Sequence, residues 1–225
     1  MPRLSLLALL GLAMLAACSS ATPTGGSETL SVQYTFAASP WLGALSTCAG
    51  GNVLRQEQRA ADYLDLGSAN LALRLGQPTD LTTPAYQIAT EDILVILNRQ
   101  NPLDKLTSDQ VRGLFSGQVR NWKDLGGASA PVTVWVFSSD EDIQQLFDQA
   151  ALGGAPVSSE AMLAATPDQM AQAVAADENA VGLLPRHWKA GNISDAYTVA
   201  TVPVLALVPS APQGALAGIL ACLQK

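Results

Sequence analysis

From Leu30 onward, the chain alternates short apolar runs with stretches whose apolar residues recur at helical spacing. Residues 30–36 read as a strand, followed by a break at Ser39-Pro40 and a short helix to Ala49 that Gly50-Gly51 ends. Residues 52–58 and 70–75 read as two further strands, with a short helical or irregular piece between them. Within 88–98, the run Ile93-Leu94-Val95-Ile96-Leu97 is apolar and partly β-branched, which fits a strand buried on both faces. Thr107 and Gln110 have capping-box spacing, and Val111, Leu114 and Phe115 continue one helical face. After a turn over 121–127, residues 132–137 form another buried strand. Ser139-Asp140-Glu141-Asp142 fits a second capping box, with Ile143, Leu146, Phe147 and Ala150 at i, i+3, i+4 and i+7. Thr166-Pro167 opens a further helix with Pro at its first position. Residues 180–184 give a short strand ending at Pro185, and Leu216, Ile219, Leu220 and Leu223 stripe a closing helix. Repeated strand–helix units predict α/β layers around largely parallel sheets.

The start of the chain follows a different pattern. Met1 to Arg3 is a short basic segment, and Leu4 to Ala17 is an apolar run ending at Cys18. That run falls short of the roughly 20 residues of a spanning helix and suits the apolar region of a signal peptide. The ending Leu15-Ala16-Ala17-Cys18 resembles the lipobox of bacterial lipoproteins. The resemblance implies removal of residues 1–17 and a lipid on Cys18, the alternatives being an ordinary cleaved signal or a buried N-terminal helix. Multiple acyl chains would hold the protein on a membrane where one would not. Residues 18–29 then form the anchor and a small, polar, flexible tether.

Composition narrows the function classes. The 225 residues carry a formal charge of −7 with 12 Lys and Arg, so nucleic acid is an unsuitable partner. One His and three Cys leave few soft ligands for a transition metal, and no metal site is expected. No nucleophile–base pair or carboxylate dyad stands out, so no catalytic residue is assigned. In an exported chain, Cys48 and Cys222 are either one disulfide joining the first helix to the last or two buried thiols that merely pack.

The most specific run is Asn101-Pro102, Leu106-Thr107, Gln110-Val111-Arg112, Leu114-Phe115-Ser116-Gly117 and Asn121-Trp122-Lys123-Asp124-Leu125-Gly126-Gly127, followed by Pro131-Val132. It resembles the phosphate-type solute-binding proteins of bacterial ABC transporters, a branch of the type II periplasmic-binding-protein superfamily. Asn179 to Pro185 and Pro212-Gln213-Gly214 extend the likeness, which is dense from Glu91 to Pro185 and thin before it. The resemblance implies an α/β fold of two lobes joined by two hinge crossovers, with a ligand in the interlobe cleft. Lobe I would be residues 28–98 plus 186–225, and lobe II residues 99–185; the alternative is a single doubly wound sheet. The implied protein is an extracytoplasmic, lipid-anchored monomer without a cofactor. It would capture a small anion, phosphate first, for an ABC permease.

In such a cleft, helix N-termini and Ser or Thr hydroxyls can hold an oxyanion without many full charges. Matching the family's positions gives Ser39, Ser138 and Ser139 as ligand contacts, with Asp140 beside them and Arg74 and Arg186 as charge-assisted donors. Ser39 and Ser139 are also explained as helix N-caps, and the two arginines as solvated surface charges. One departure counts against phosphate. Where the family has a Ser-Gly-Ser-Gly-Thr loop, this chain has Ser138-Ser139-Asp140-Glu141-Asp142. One carboxylate can select a protonated phosphate, but three near a dianion repel it. With the short first lobe, this loop favours the alternative of a degenerate binding-protein fold that senses or docks partners.

Overall fold

The computed structural model describes residues 27–225. The predicted signal peptide, Cys18 and most of the tether lie outside the described residues. Among those described, no helix is long and apolar enough to cross a membrane.

Eight strands form one continuous sheet, in the order β2-β1-β3-β8-β4-β7-β5-β6. On one side lie β1 (Thr29–Tyr34), β2 (Val53–Gln58) and β3 (Leu71–Leu75), with β1 parallel to both neighbours. On the other lie β5 (Thr133–Val136), the two-residue β6 (Met162–Leu163) and β7 (Ala180–Pro185). Two long strands, β4 (Ala85–Asn98) and β8 (Ile193–Leu207), run antiparallel through the middle and join the halves. The expected parallel layering therefore holds only at the two flanks, and the centre of the sheet is antiparallel. Residues 88–98 carry the expected buried run, but their strand extends back to Ala85 and changes neighbours along its length. The first residues of β4 pair only with β8, whereas Ile93–Leu97 also pair with β7. Register shifts between Gln87 and Ala89 and between Ile93 and Leu94 bracket this change.

The helices cover the sheet where their apolar faces predict. α2 (Ser108–Phe115) is capped by Thr107, whose hydroxyl accepts from Gln110 N while the Gln110 side chain returns to the Thr107 amide, completing the capping box. α4 (Pro167–Ala176) is capped by Thr166 with Pro at its first position. It packs so closely on β7 that a Cβ on Gly182 would lie 2.5 Å from Met170 Sδ. The run from Asn121 folds into a 3-10 turn over Trp122–Leu125, with the Asn121 side chain accepting from Lys123 N and Gly126 in the left-handed region. Trp122 is buried, and its indole N–H donates to Asn179 O at 3.0 Å. The Asn121–Gly126 part of the run that carries the resemblance thus anchors Trp122 against the turn that leads into β7.

Two main cores result. One gathers Phe115, Trp122, Phe137, Phe147 and the Ile93–Leu97 run, and the other gathers Leu30, Val32, Leu45, Leu71, Leu73 and Ile219 under α1 (Leu42–Ala49) and α5 (Gly214–Leu223). In the second core a disulfide joins Cys48 of α1 to Cys222 of α5, with Cα atoms 5.7 Å apart.

Candidate functional site

The two halves meet where β1 and β3 end against the start of α3 (Asp142–Phe147), and one side chain forms most of that junction. Asp142 is fully buried. Its Oδ2 accepts from the Thr35 hydroxyl and from the Leu75 backbone N–H, both at 2.7 Å, and its Oδ1 accepts from Ile143 N at 2.8 Å. Thr35 follows β1 and Leu75 ends β3, so two separate strand ends aim donors at one oxyanion position. The Phe36 and Phe137 rings close over the junction with centroids 5.0 Å apart. Asp62 N donates to Asp140 O, and Gln145 Nε2 donates to Asp62 Oδ1 at 2.8 Å, adding two further ties across it. Gly76 has a positive φ of 65°, and a Cβ there would lie 2.5 Å from Leu146 Cδ2, so only glycine permits this approach of the β3 end to α3. The junction is closed by the protein's own carboxylate, which takes both donors.

The acidic turn raises its own proton affinities. Burial pushes the Asp142 carboxyl above the ordinary range, opposed by the Thr35 and Leu75 hydrogen bonds and the nearby Arg74 charge. Glu141 is pushed up to about 8, first by burial and then by the charges of Asp142 and Asp140. Its Oε2 is buried with no hydrogen-bond partner among the described residues. In the folded state Glu141 therefore holds a proton that the unfolded chain releases near 4.5. Between those values the native state binds more protons, so stability falls as pH rises through the interval. The urea midpoint should decrease between about pH 5 and pH 8, with a smaller decrease in Glu141→Gln. Equal slopes in the two proteins would show that Glu141 is ordinarily ionised.

The residues expected to bind ligand do not converge. Ser39 sits inside the 3-10 turn Phe36–Trp41 and donates to Phe36 O at 2.8 Å; it caps no helix. The expected capping box at Ser139 is absent. α3 begins three residues later, with Glu141 at its cap position and no side-chain cap bond, and the intervening Asp140 turns its carbonyl to Asp62 N across the junction. Ser138 and Ser139 instead line a groove of about 340 Å³ with Gln144 and Asp148 in the second half of the molecule. Asp140 contributes its carbonyl to the junction.

Arg186 is exposed and committed elsewhere. It bridges Asp92 at 2.9 Å and Asp195 at 3.0 Å, while Thr201 donates to Asp92 and Lys189 pairs with Asp195. The adjoining His187 pairs with the buried Glu91 and stacks against Trp41. These contacts staple the turn after β7 to the centre of β4 and β8. Arg74 differs from the expected surface charge: it is 7% exposed and opens into a separate cavity. Sequence reasoning missed Thr35 and the Leu75 amide. The signal available for Thr35 was its place directly after an apolar strand and before Phe36. No pattern marks a backbone N–H.

Among the described residues no group of three His, Cys, Asp or Glu is placed to hold a metal ion. Residues 83–217, more than half of the chain, match the family model described as the PBP superfamily domain, and the protein belongs to that family. Solved structures agree on the fold. The structure titled a putative phosphate ABC transporter substrate-binding protein with bound phosphate, from Clostridium perfringens, superposes with a TM-score of 0.77 at 16% identity, covering 87% of this chain and 93% of that one. An ABC-type phosphate transport receptor from Vibrio cholerae gives a TM-score of 0.70 at 16% identity over 87% and 93%. The reduced regulatory domain of OxyR from Pseudomonas aeruginosa gives 0.60 at 13% over 88% and 98%.

Proposed function

We propose that the protein is an extracytoplasmic solute-binding protein of the phosphate-transporter type. In this reading it is anchored by a lipid on Cys18, captures a small anion between its lobes and delivers it to an ABC permease. Lobe I is residues 28–98 plus 186–225 and lobe II is residues 99–185, with β4 at the edge of lobe I pairing with β7 of lobe II. The observation that carries the reading is the pair of donors, Thr35 hydroxyl and Leu75 amide, aimed from two strand ends at one oxyanion position. Two structural relatives are named for phosphate transport, one with phosphate bound.

Asp142 guards this seat. An incoming anion must displace a carboxylate held by charge-assisted hydrogen bonds worth roughly 1.5–3 kcal/mol each, so affinity is set by competition. Protonation weakens the hold of Asp142, and its raised pKa extends that effect to higher pH than for an ordinary Asp. Capture should therefore strengthen as pH falls. The three carboxylates and the filled seat also favour a second reading, a permanently closed protein that docks partners without taking phosphate.

Thermal unfolding of the full chain in detergent separates the two. Phosphate, sulfate and chloride are compared at matched ionic strength for the wild type and Asp142→Ser. A phosphate-selective rise in the wild type, larger in the variant and at lower pH, supports guarded capture. A rise confined to the variant supports the docking protein. No rise in either removes phosphate as the ligand.

A further inference from the structure

A second cavity, of about 400 Å³, lies beside the seat. That is within the usual size range of small-molecule sites. It is formed by the segment after β2, the loop after β3 and Gln145 of α3, and Arg74 projects into it. Along β3, side chains alternate between faces, so Arg74 and Ala72 lie opposite Leu71, Leu73 and Leu75. The segment facing Arg74 forms only a three-residue 3-10 turn, Ala61–Tyr63, and the cavity lies between it and the loop after β3.

Arg74 is 93% buried, its guanidinium carries five N–H donors, and among the described residues it makes one hydrogen bond, from Nε to Leu75 O at 3.3 Å. Asp142, Asp62 and Asp80 act on it through space without a hydrogen bond to it. A buried cation with unused donors facing a cavity calls for a planar oxyanion, and a carboxylate fits the guanidinium fork in two-point fashion. The cavity also holds Asp62 and Asp80, which repel a dianion and attract an ammonium. Leu64, Leu66 and Leu207 complete an apolar wall.

We infer that this cavity binds a small zwitterion, an amino acid with an apolar side chain. Its carboxylate lies on Arg74, its ammonium faces Asp62 and Asp80, and its side chain rests on the leucines. The inference does not depend on anion capture at the Asp142 seat. Because Gln145 both lines the cavity and ties α3 to Asp62, an occupant would touch one of the bonds that shut the junction.

Titration calorimetry of the full chain in detergent tests the assignment with L-leucine, 4-methylpentanoate, which lacks the amine, and 3-methylbutylamine, which lacks the carboxylate. The expected order is leucine first, 4-methylpentanoate weaker by about tenfold or more, and no heat from the amine, since each lost charged pair is worth at least that factor. Arg74→Gln should abolish leucine binding. Asp80→Asn, an exposed change away from the seat, should bring leucine to the level of 4-methylpentanoate and keeps the test valid if the Arg74 variant fails to fold. The proposal is overturned if none of the twenty standard amino acids binds, or if leucine binds equally well to Asp80→Asn. A phosphate titration in the same series reports on the Asp142 seat alone, so failure of either reading is seen separately.

Discussion

Asp142→Ala should destabilise the protein by about 2–4 kcal/mol. The substitution leaves the buried Thr35 hydroxyl and Leu75 N–H without their acceptor, and each such orphan costs roughly 1–3 kcal/mol. Part of that is offset, because burial itself opposes the charged carboxylate, as the upward shift of its pKa shows. Asp142→Asn keeps an oxygen for one or both donors and should lose roughly 1–2 kcal/mol. Urea unfolding at neutral pH measures both. The variants should also loosen the junction, raising the radius of gyration in solution scattering. If Asp142→Ala were as stable as the wild type, desolvation would outweigh the hydrogen bonds, and Asp142 would be no latch.

Loss of the Cys48–Cys222 bond should have an effect at least as large. The two residues are 174 positions apart, so the bond closes most of the chain into one loop. The chain-entropy estimate for a loop of that length is about 5 kcal/mol, and native disulfides commonly give 2–5. For a domain of this size a loss of about 4 kcal/mol lowers the midpoint by roughly 8–16 °C. The effect should appear in Cys48→Ser/Cys222→Ser, and reductant should lower the wild-type midpoint while leaving the double variant unchanged. A wild type indifferent to reductant would mean that the two cysteines work as packed thiols. The bond joins α1 to α5, whose apolar residues meet over Leu30, Val32 and Leu73. Without it the two helices rely on packing around a small core.

Local signals proved informative wherever one residue controls one hydrogen bond. Thr107 with Gln110, Thr166 with Pro167, and Asn121 with Gly126 each settle a helix or turn end within a few residues. The Ile93–Leu97 run also carries its own meaning, since an apolar strand without alternation must be covered on both faces. The same reasoning misplaced Ser139. Its spacing fits a cap as well as any, yet α3 starts only at Asp142, where Asp140 O is tied to Asp62 N and the Asp142 side chain to Thr35. Long-range contacts of this kind leave no periodic trace.

The candidate site was legible only in part for the same reason. The acidic turn was visible as a departure from a Ser-Gly-Thr loop, and its conflict with a free dianion follows from charge alone. Its resolution was not visible. Asp142 takes the Thr35 and Leu75 donors itself, Arg186 is consumed by Asp92 and Asp195, and Arg74 faces a cavity of its own.

By itself the sequence determined the α/β class, the family and several helix and turn ends, but it gave no sign of the long strand β8; an exported, tethered start of the chain is its expectation. These rest on spacing, capping chemistry and composition, all properties of neighbours along the chain. Only the tertiary structure decided that the sheet is continuous through β4 and β8, and that Thr35, Leu75 and Asp142 meet. Those facts depend on residues 67 to 107 positions apart converging on one buried point. There, hydrogen bonds made in a dry interior decide the arrangement, and no local preference encodes them.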